Sequence, residues 1–175
     1  MPRSGGQFPV ALPVTGPPGV ACGAATSGSH TIVIAVNNEV VAGSATVTGG
    51  SGSAATTVAG QTMSIDLTGA TNAQTVTLGL TQVTDVYGQA LPNTSVSVSF
   101  LLGDTNASGG VTSSDIAQTK AASGQTTNAS NFREDVNVSG GIRSSDVALV
   151  KSVAGSSLSP AQPQRRPANV DASLR

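Results

Sequence analysis

Residues 104–115 and 135–146 each read Asp, x, Asn, x, Ser, Gly, Gly, a β-branched aliphatic, x, Ser, Ser, Asp. A loop of about 12 residues that turns sharply on a Gly at position 6 can gather oxygens from positions 1, 3, 5, 7, 9 and 12 around one calcium ion. In the first copy those positions are Asp104, Asn106, Ser108, Gly110 through its carbonyl, Thr112 and Asp115, with Gly109 at the turn. In the second they are Asp135, Asn137, Ser139, Gly141, Arg143 and Asp146, with Gly140 at the turn. A hard cation needs many oxygens at flexible spacing, and converging carboxylate, amide, hydroxyl and carbonyl groups supply them without a deep cavity. Gly, Ser, Asn and Asp also build ordinary turns that hold no metal; it is the aligned duplication that sets these loops apart.

Each site carries two carboxylates. Affinity in such loops follows ligand charge, so binding of up to two Ca2+ is expected in the range of about 10⁻⁴ to 10⁻³ M typical of extracellular modules. Arg143 brings a positive charge and no side-chain oxygen to position 9, which makes the second site the weaker.

The elements that must hold these loops are also duplicated. Residues 101–124 align without a gap on residues 132–155, pairing Leu101 with Phe132, Ala117 with Ala148, Lys120 with Lys151 and Gly124 with Gly155. Each unit reads as loop, helix, glycine stop. Ser113 and Ser144 are placed to cap the helix N-termini, and Gly124 and Gly155 to end the helices in a left-handed conformation. Helical spacing puts Val147, Val150, Val153 and Ala154 on one apolar face of the second helix. The first offers chiefly Ile116, Ala117 and Ala121.

On these paired loops, GDTNASGGVTSSD and EDVNVSGGIRSSD, each followed by a helix with Lys at the same place, residues from 101 to about 158 resemble a type I dockerin. The resemblance implies two loop-helix units packed antiparallel with approximate two-fold symmetry, one calcium in each, and docking onto a cohesin domain of another protein. It implies a docking face formed by Ser113, Ser114 and Lys120, with Ser144, Ser145 and Lys151 as its symmetry mate. Two departures stand out. Ser108 and Ser139 occupy position 5, where the family usually has Asp, and Ala121 and Ser152 replace the basic residue after the helix Lys.

Upstream, apolar residues alternate with period two, the signature of half-buried strands. A short apolar run at 30–36 ends at Asn37 and Asn38, a turn signal leading into a strand over 39–48 punctuated by Gly49 and Gly50. Met63, Ile65 and Leu67 alternate, as do Val76, Leu78 and Leu80, and then Val96, Val98 and Phe100. Residues 83–92 look like the turn before the last strand in a class of bacterial immunoglobulin-like domains; the plainer reading is a Gly-centred turn with Pro92 leading into a strand. The expected fold is mainly β with a small α module: an antiparallel immunoglobulin-like β-sandwich over 28–102, then a dockerin-like calcium module over 103–158. Residues 1–27 read as a Pro/Gly-rich linker or partial strand, and 159–175 as a disordered tail. The last strand runs almost directly into Asp104, so sandwich and calcium module should touch.

Composition fits that setting. The 175 residues are 38% apolar but only 2% aromatic and 10% charged, a profile of extracellular β modules more than of a compact intracellular enzyme. A formal net charge of −1 gives no basic footprint for nucleic acid, and no apolar run is long enough to insert in a membrane. No apolar N-terminal stretch has signal-peptide form, so an exported chain would carry its signal elsewhere, as part of a longer protein with upstream domains. The single Cys22 allows no internal disulfide. The single His30 sits in a strand-like run without zinc-ligand or triad partners, and Asp66 and Asp85 have strand or turn explanations.

The sequence therefore points to a noncatalytic, secreted bacterial interaction module that binds calcium, associated through the dockerin resemblance with polysaccharide degradation. Two alternatives remain open: a structural cell-surface or stalk segment rigidified by calcium, and the accessory end of a glycoside hydrolase.

Overall fold

A computed structural model describes Val10, Leu12, residues 16–24 and residues 28–159; the tail over 160–175 lies outside the described residues. Seven strands precede two helices: β1 Gly19–Ala21, β2 His30–Ala35, β3 Val40–Gly49, β4 Ser53–Ala59, β5 Thr62–Thr68, β6 Gln74–Asp85, β7 Thr94–Phe100, α1 Ser113–Ala122 and α2 Ser144–Ser152. They form a four-stranded sheet in the order β1-β7-β6-β3 and a three-stranded sheet in the order β2-β5-β4. The pairs are antiparallel except β1 with β7, which is parallel.

Period-two alternation turns one face of each sheet inward. Ile32, Met63, Ile65 and Leu67 from the three-stranded sheet meet Ala45, Val76, Leu78, Leu80, Val96, Val98 and Phe100 from the other in one buried cluster. The backbone N–H of Ala45 donates to Thr56 Oγ1 at 3.0 Å, tying β3 to β4 from one sheet to the other. On the face of β6 and β7 turned away from this cluster, hydroxyls pair between the strands, Thr75 with the buried Ser99 at 2.8 Å and Thr77 with Ser97 at 2.9 Å.

Sequence and structure differ in two strands. β4, Ser-Ala-Ala-Thr-Thr-Val-Ala, has no large apolar residue to mark its inner face and so carries no clear alternation. β1 is the partial strand allowed for within residues 1–27, and its reach is longer than a sheet edge. Val20 leaves the sheet core and joins Leu101, Val111, Val136 and Val150 in a second buried cluster that belongs to the region of the duplicated loops. Past β1 the chain continues along that region. Leu101 N–H donates to Ala21 O at 3.0 Å, Gly103 N–H to Cys22 O at 3.0 Å and Ala24 N–H to Val136 O at 2.6 Å.

The helices differ from expectation at their starts and faces. Thr112 and Arg143 are the N-caps, not Ser113 and Ser144, which are the first helical residues. The reason is that Asp115 and Asp146 reach back to the backbone N–H groups of Thr112 (2.8 Å) and Arg143 (2.9 Å), fixing the caps one residue earlier. On α1, Ala117 and Ala121 are exposed and only Ile116 packs on the core, while Thr119 is buried with its hydroxyl on Asp115 O at 2.8 Å. On α2, Val150 is buried and Leu149 and Val153 pack beside it; Ala154 falls past the helix end and is exposed.

Candidate metal centres

The two loops have nearly the same internal wiring. Asp104 accepts from Ser108 N–H at 2.9 Å and Gly109 N–H at 2.8 Å; Asp135 accepts from Ser139 N–H at 2.9 Å and Gly140 N–H at 2.8 Å. Asp115 accepts from Asn106 N–H at 3.2 Å, and Asp146 from Asn137 N–H at 3.0 Å. The position-5 hydroxyls, Ser108 and Ser139, each donate to the position-7 carbonyl, Gly110 or Gly141, at 3.1 Å. The carboxylates at positions 1 and 12 are therefore held by backbone N–H groups in each loop, the position-5 hydroxyl is tied to the position-7 carbonyl, and Gly109 (φ +84°) and Gly140 (φ +89°) make the turn that only glycine adopts without strain.

Asp104, Asp115 and Asp146 are fully buried and Asp135 is 5% exposed, an unusual placement for carboxylates. Burial works to raise the Asp115 pKa, but hydrogen bonds from Thr112 N–H, Asn106 N–H and the Thr112 and Thr105 hydroxyls together hold it below the ordinary aspartate value. The neighbouring Glu134 carboxyl is pushed up by burial.

Whether the residues fit calcium is tested most directly by Asn137. Its Oδ1 is buried and has no hydrogen-bond partner, an arrangement that normally costs about 1–3 kcal/mol and that a cation at position 3 of the loop would relieve. Among the described residues no three His, Cys, Asp or Glu side chains come together; each loop instead converges two carboxylates with neutral oxygens. That donor set is hard and oxygen-only, which suits Ca2+ better than the nitrogen and sulfur ligands that zinc sites favour.

Position 9 separates the loops. The Thr112 hydroxyl lies 3.0 Å from Asp115 Oδ2, at the rim of the first site. Arg143 folds its guanidinium back over the position-7 glycine, so that a Cβ on Gly141 would lie 3.8 Å from Nε and Nη2. Arg143 supplies charge and no ligand oxygen there.

The units are locked by exchange of their exits. Val111 N–H donates to Ser156 O (2.8 Å) and Gly155 N–H returns to Val111 O (2.9 Å); in the other unit Ile142 N–H donates to Gln125 O (2.9 Å) and Gly124 N–H returns to Ile142 O (2.8 Å). Each loop is thus walled by the segment that follows the other unit's helix. Gly124 and Gly155, at φ +93° and +90°, make these returns, in the left-handed conformation anticipated for the helix stops.

Of the residues assigned to docking, Ser113, Lys120, Ser144 and Lys151 are exposed. Ser114 and Ser145 are exposed at residue level, but their hydroxyls are engaged inside the loops by Asn106 and Asn137, each at 2.9 Å. Sequence reasoning missed this, along with Arg133, whose guanidinium donates to Val20, Asp104 and Thr105 carbonyls.

His30, Asp66 and Asp85 are committed to structure. His30 packs on Phe100 with ring centroids 4.1 Å apart. Asp66 accepts from the Thr31 hydroxyl across the β2–β5 pair at 2.9 Å. Asp85 lines a groove with Val36, Asn38, Val83, Leu91 and Pro92, but its carboxylate is taken up by Asn38 Nδ2 and the N–H groups of Tyr87 and Gln89. Burial pushes the Cys22 thiol up to about 11, which keeps it protonated and unreactive. No helix among the described residues is long and apolar enough to cross a membrane. No protein family, curated protein or solved structure matches the chain.

Proposed function

We propose that residues 103–158 bind up to two calcium ions and serve as a noncatalytic, dockerin-like interaction module of a secreted protein, carried on an immunoglobulin-like β-sandwich. The observation that carries the calcium reading is the duplicated oxygen wiring, with the buried Asn137 Oδ1 left unpartnered in the position of a ligand. The sandwich reading is supported by strand order. With β1 set beside β7, the sheets β7-β6-β3 and β2-β5-β4 correspond to the CFG and BED groupings of an immunoglobulin fold.

Docking to a cohesin-type domain rests on the sequence resemblance and on the exposed pairs Ser113 with Lys120 and Ser144 with Lys151, repeated by the internal symmetry. A second reading, a calcium-rigidified structural segment, is favoured by a different observation. Val20 of β1 is packed into the loop-region core, so the calcium loops stiffen the end of the sheet that carries them.

The deciding experiment is a calcium titration of the chelated full-length chain, followed by NMR at the amides of Gly109, Gly110, Gly140 and Gly141. Saturable shifts at either loop below about 10 mM are expected from the affinity range of such sites; flat traces would end the calcium reading. Cohesin capture in calcium, lost on chelation, separates docking from a structural role. For a site with dissociation constant near 10⁻⁴ M, 10 mM calcium adds about 2.7 kcal/mol of stability.

A further inference from the structure

Two serines expected on the docking face have their hydroxyls bonded to loop asparagines. Asn106 Nδ2 donates to Ser114 Oγ and Asn137 Nδ2 to Ser145 Oγ, both at 2.9 Å, the same contact in both copies. Each serine also touches a second loop position: Ser114 Oγ lies 2.7 Å from Thr112 Oγ1, and Ser145 Oγ lies 3.4 Å from Asp146 Oδ2. An asparagine amide has one end that ligates a cation and one that repels it, and rotation by half a turn exchanges them. With Nδ2 held on the serine, Oδ1 is turned into the loop. In the first copy it accepts from Ser108 N–H at 2.9 Å, and in the second it is buried without a partner.

We propose that Ser114 and Ser145 are positioning residues that fix the amide orientation of Asn106 and Asn137, so that each loop presents oxygen and not NH2 to its ion. This rests on the calcium reading above. It separates the two serines of each pair, with Ser113 and Ser144 left to the surface and Ser114 and Ser145 assigned to the metal.

The test is calcium titration of the full chain carrying Ser114→Ala or Ser145→Ala, read by NMR at Gly109 and Gly140 so that each untouched loop is an internal reference. Loss of an outer hydrogen bond to a metal ligand costs 10- to 100-fold in affinity, and a loss of about tenfold is expected in the altered loop. Ser→Thr at the same positions keeps the hydroxyl and should restore binding. The decisive arm places Asp at position 3. Its two oxygens are equivalent and leave no wrong end, so in N106D or N137D the serine substitution should change affinity by no more than about twofold. An equal loss in the Asp background would assign the serine a general structural role and overturn the proposal. Alanine variants that bind as wild type would overturn it while leaving the calcium reading intact. A wild-type chain that gives no saturable response would remove both.

Discussion

Arg133 donates from Nη1 to the carbonyl of Val20 at 3.0 Å, joining the second loop-helix unit to the first strand of the sheet domain. The same guanidinium reaches Thr105 O at 2.7 Å and Asp104 O at 2.9 Å, so one side chain ties β1, the first loop and the second unit together. Lysine cannot reproduce a planar fork with three separate carbonyl partners. Arg133→Lys is expected to leave at least one buried carbonyl unpaired and to lower stability by about 2–3 kcal/mol, measured as the urea midpoint of the chelated protein. A midpoint equal to wild type would mean that solvent satisfies those carbonyls and that the residue is not a joint.

How far such features could be read from sequence depends on whether one residue type was demanded at one place. Gly109 and Gly140 were legible because the turn requires positive φ, and Asp104 and Asp135 stood out as repeated loop residues because the duplication sets them at one spacing. The inner faces of β5, β6 and β7 were legible from Met63, Ile65 and Leu67 and their counterparts. β4 was not, because Ala54, Thr56 and Val58 are only partly buried and carry little apolar contrast. The N-caps moved by one residue because the carboxylates of Asp115 and Asp146, assigned to metal alone, also cap their helices. The Val20 and Arg133 contacts span most of the chain, and no local pattern encodes them.

Val138 adopts φ +56° at position 4 of the second loop, as Ala107 does at φ +58° in the first. A β-branched residue in the left-handed region is a steric outlier, held there by the turn that both loops share. Asparagine tolerates this region, and Val138 is 42% exposed, so little buried contact is lost on replacement. Val138→Asn should stabilise the chelated protein by about 1 kcal/mol, seen as a higher urea midpoint. An unchanged or lower midpoint would show that the valine is not strained.

Burial lowers the His30 pKa from its ordinary 6.5. The unfolded chain then takes up a proton before the folded one does, so this group's contribution is fully present above pH 6.5 and is lost as pH falls through the folded value. His30 is the only histidine in the chain. Thermal midpoints of wild type and His30→Phe, which keeps a ring against Phe100, should diverge as pH drops from 7.5 to 5, with wild type losing more. Parallel curves would mean that His30 titrates alike in both states.

Arg143 distinguishes the second site from the first through charge and chemistry at one position. Its guanidinium lies over Gly141, whose carbonyl is a ligand candidate, whereas Thr112 in the first loop places a neutral hydroxyl 3.0 Å from Asp115. A cation entering the second loop meets a like charge that is exposed and partly screened, worth about 1 kcal/mol of repulsion, or roughly fivefold in affinity. In wild type the Gly109 amide should therefore saturate at lower calcium than Gly140. Arg143→Thr copies the first loop's residue into the second and should bring the two midpoints together, while Arg143→Gln, which removes the charge without adding the hydroxyl, should close most of the gap. Adding salt should narrow it too, because screening weakens the repulsion. If Gly140 saturates first in wild type, or if neither substitution moves it, the asymmetry does not come from Arg143.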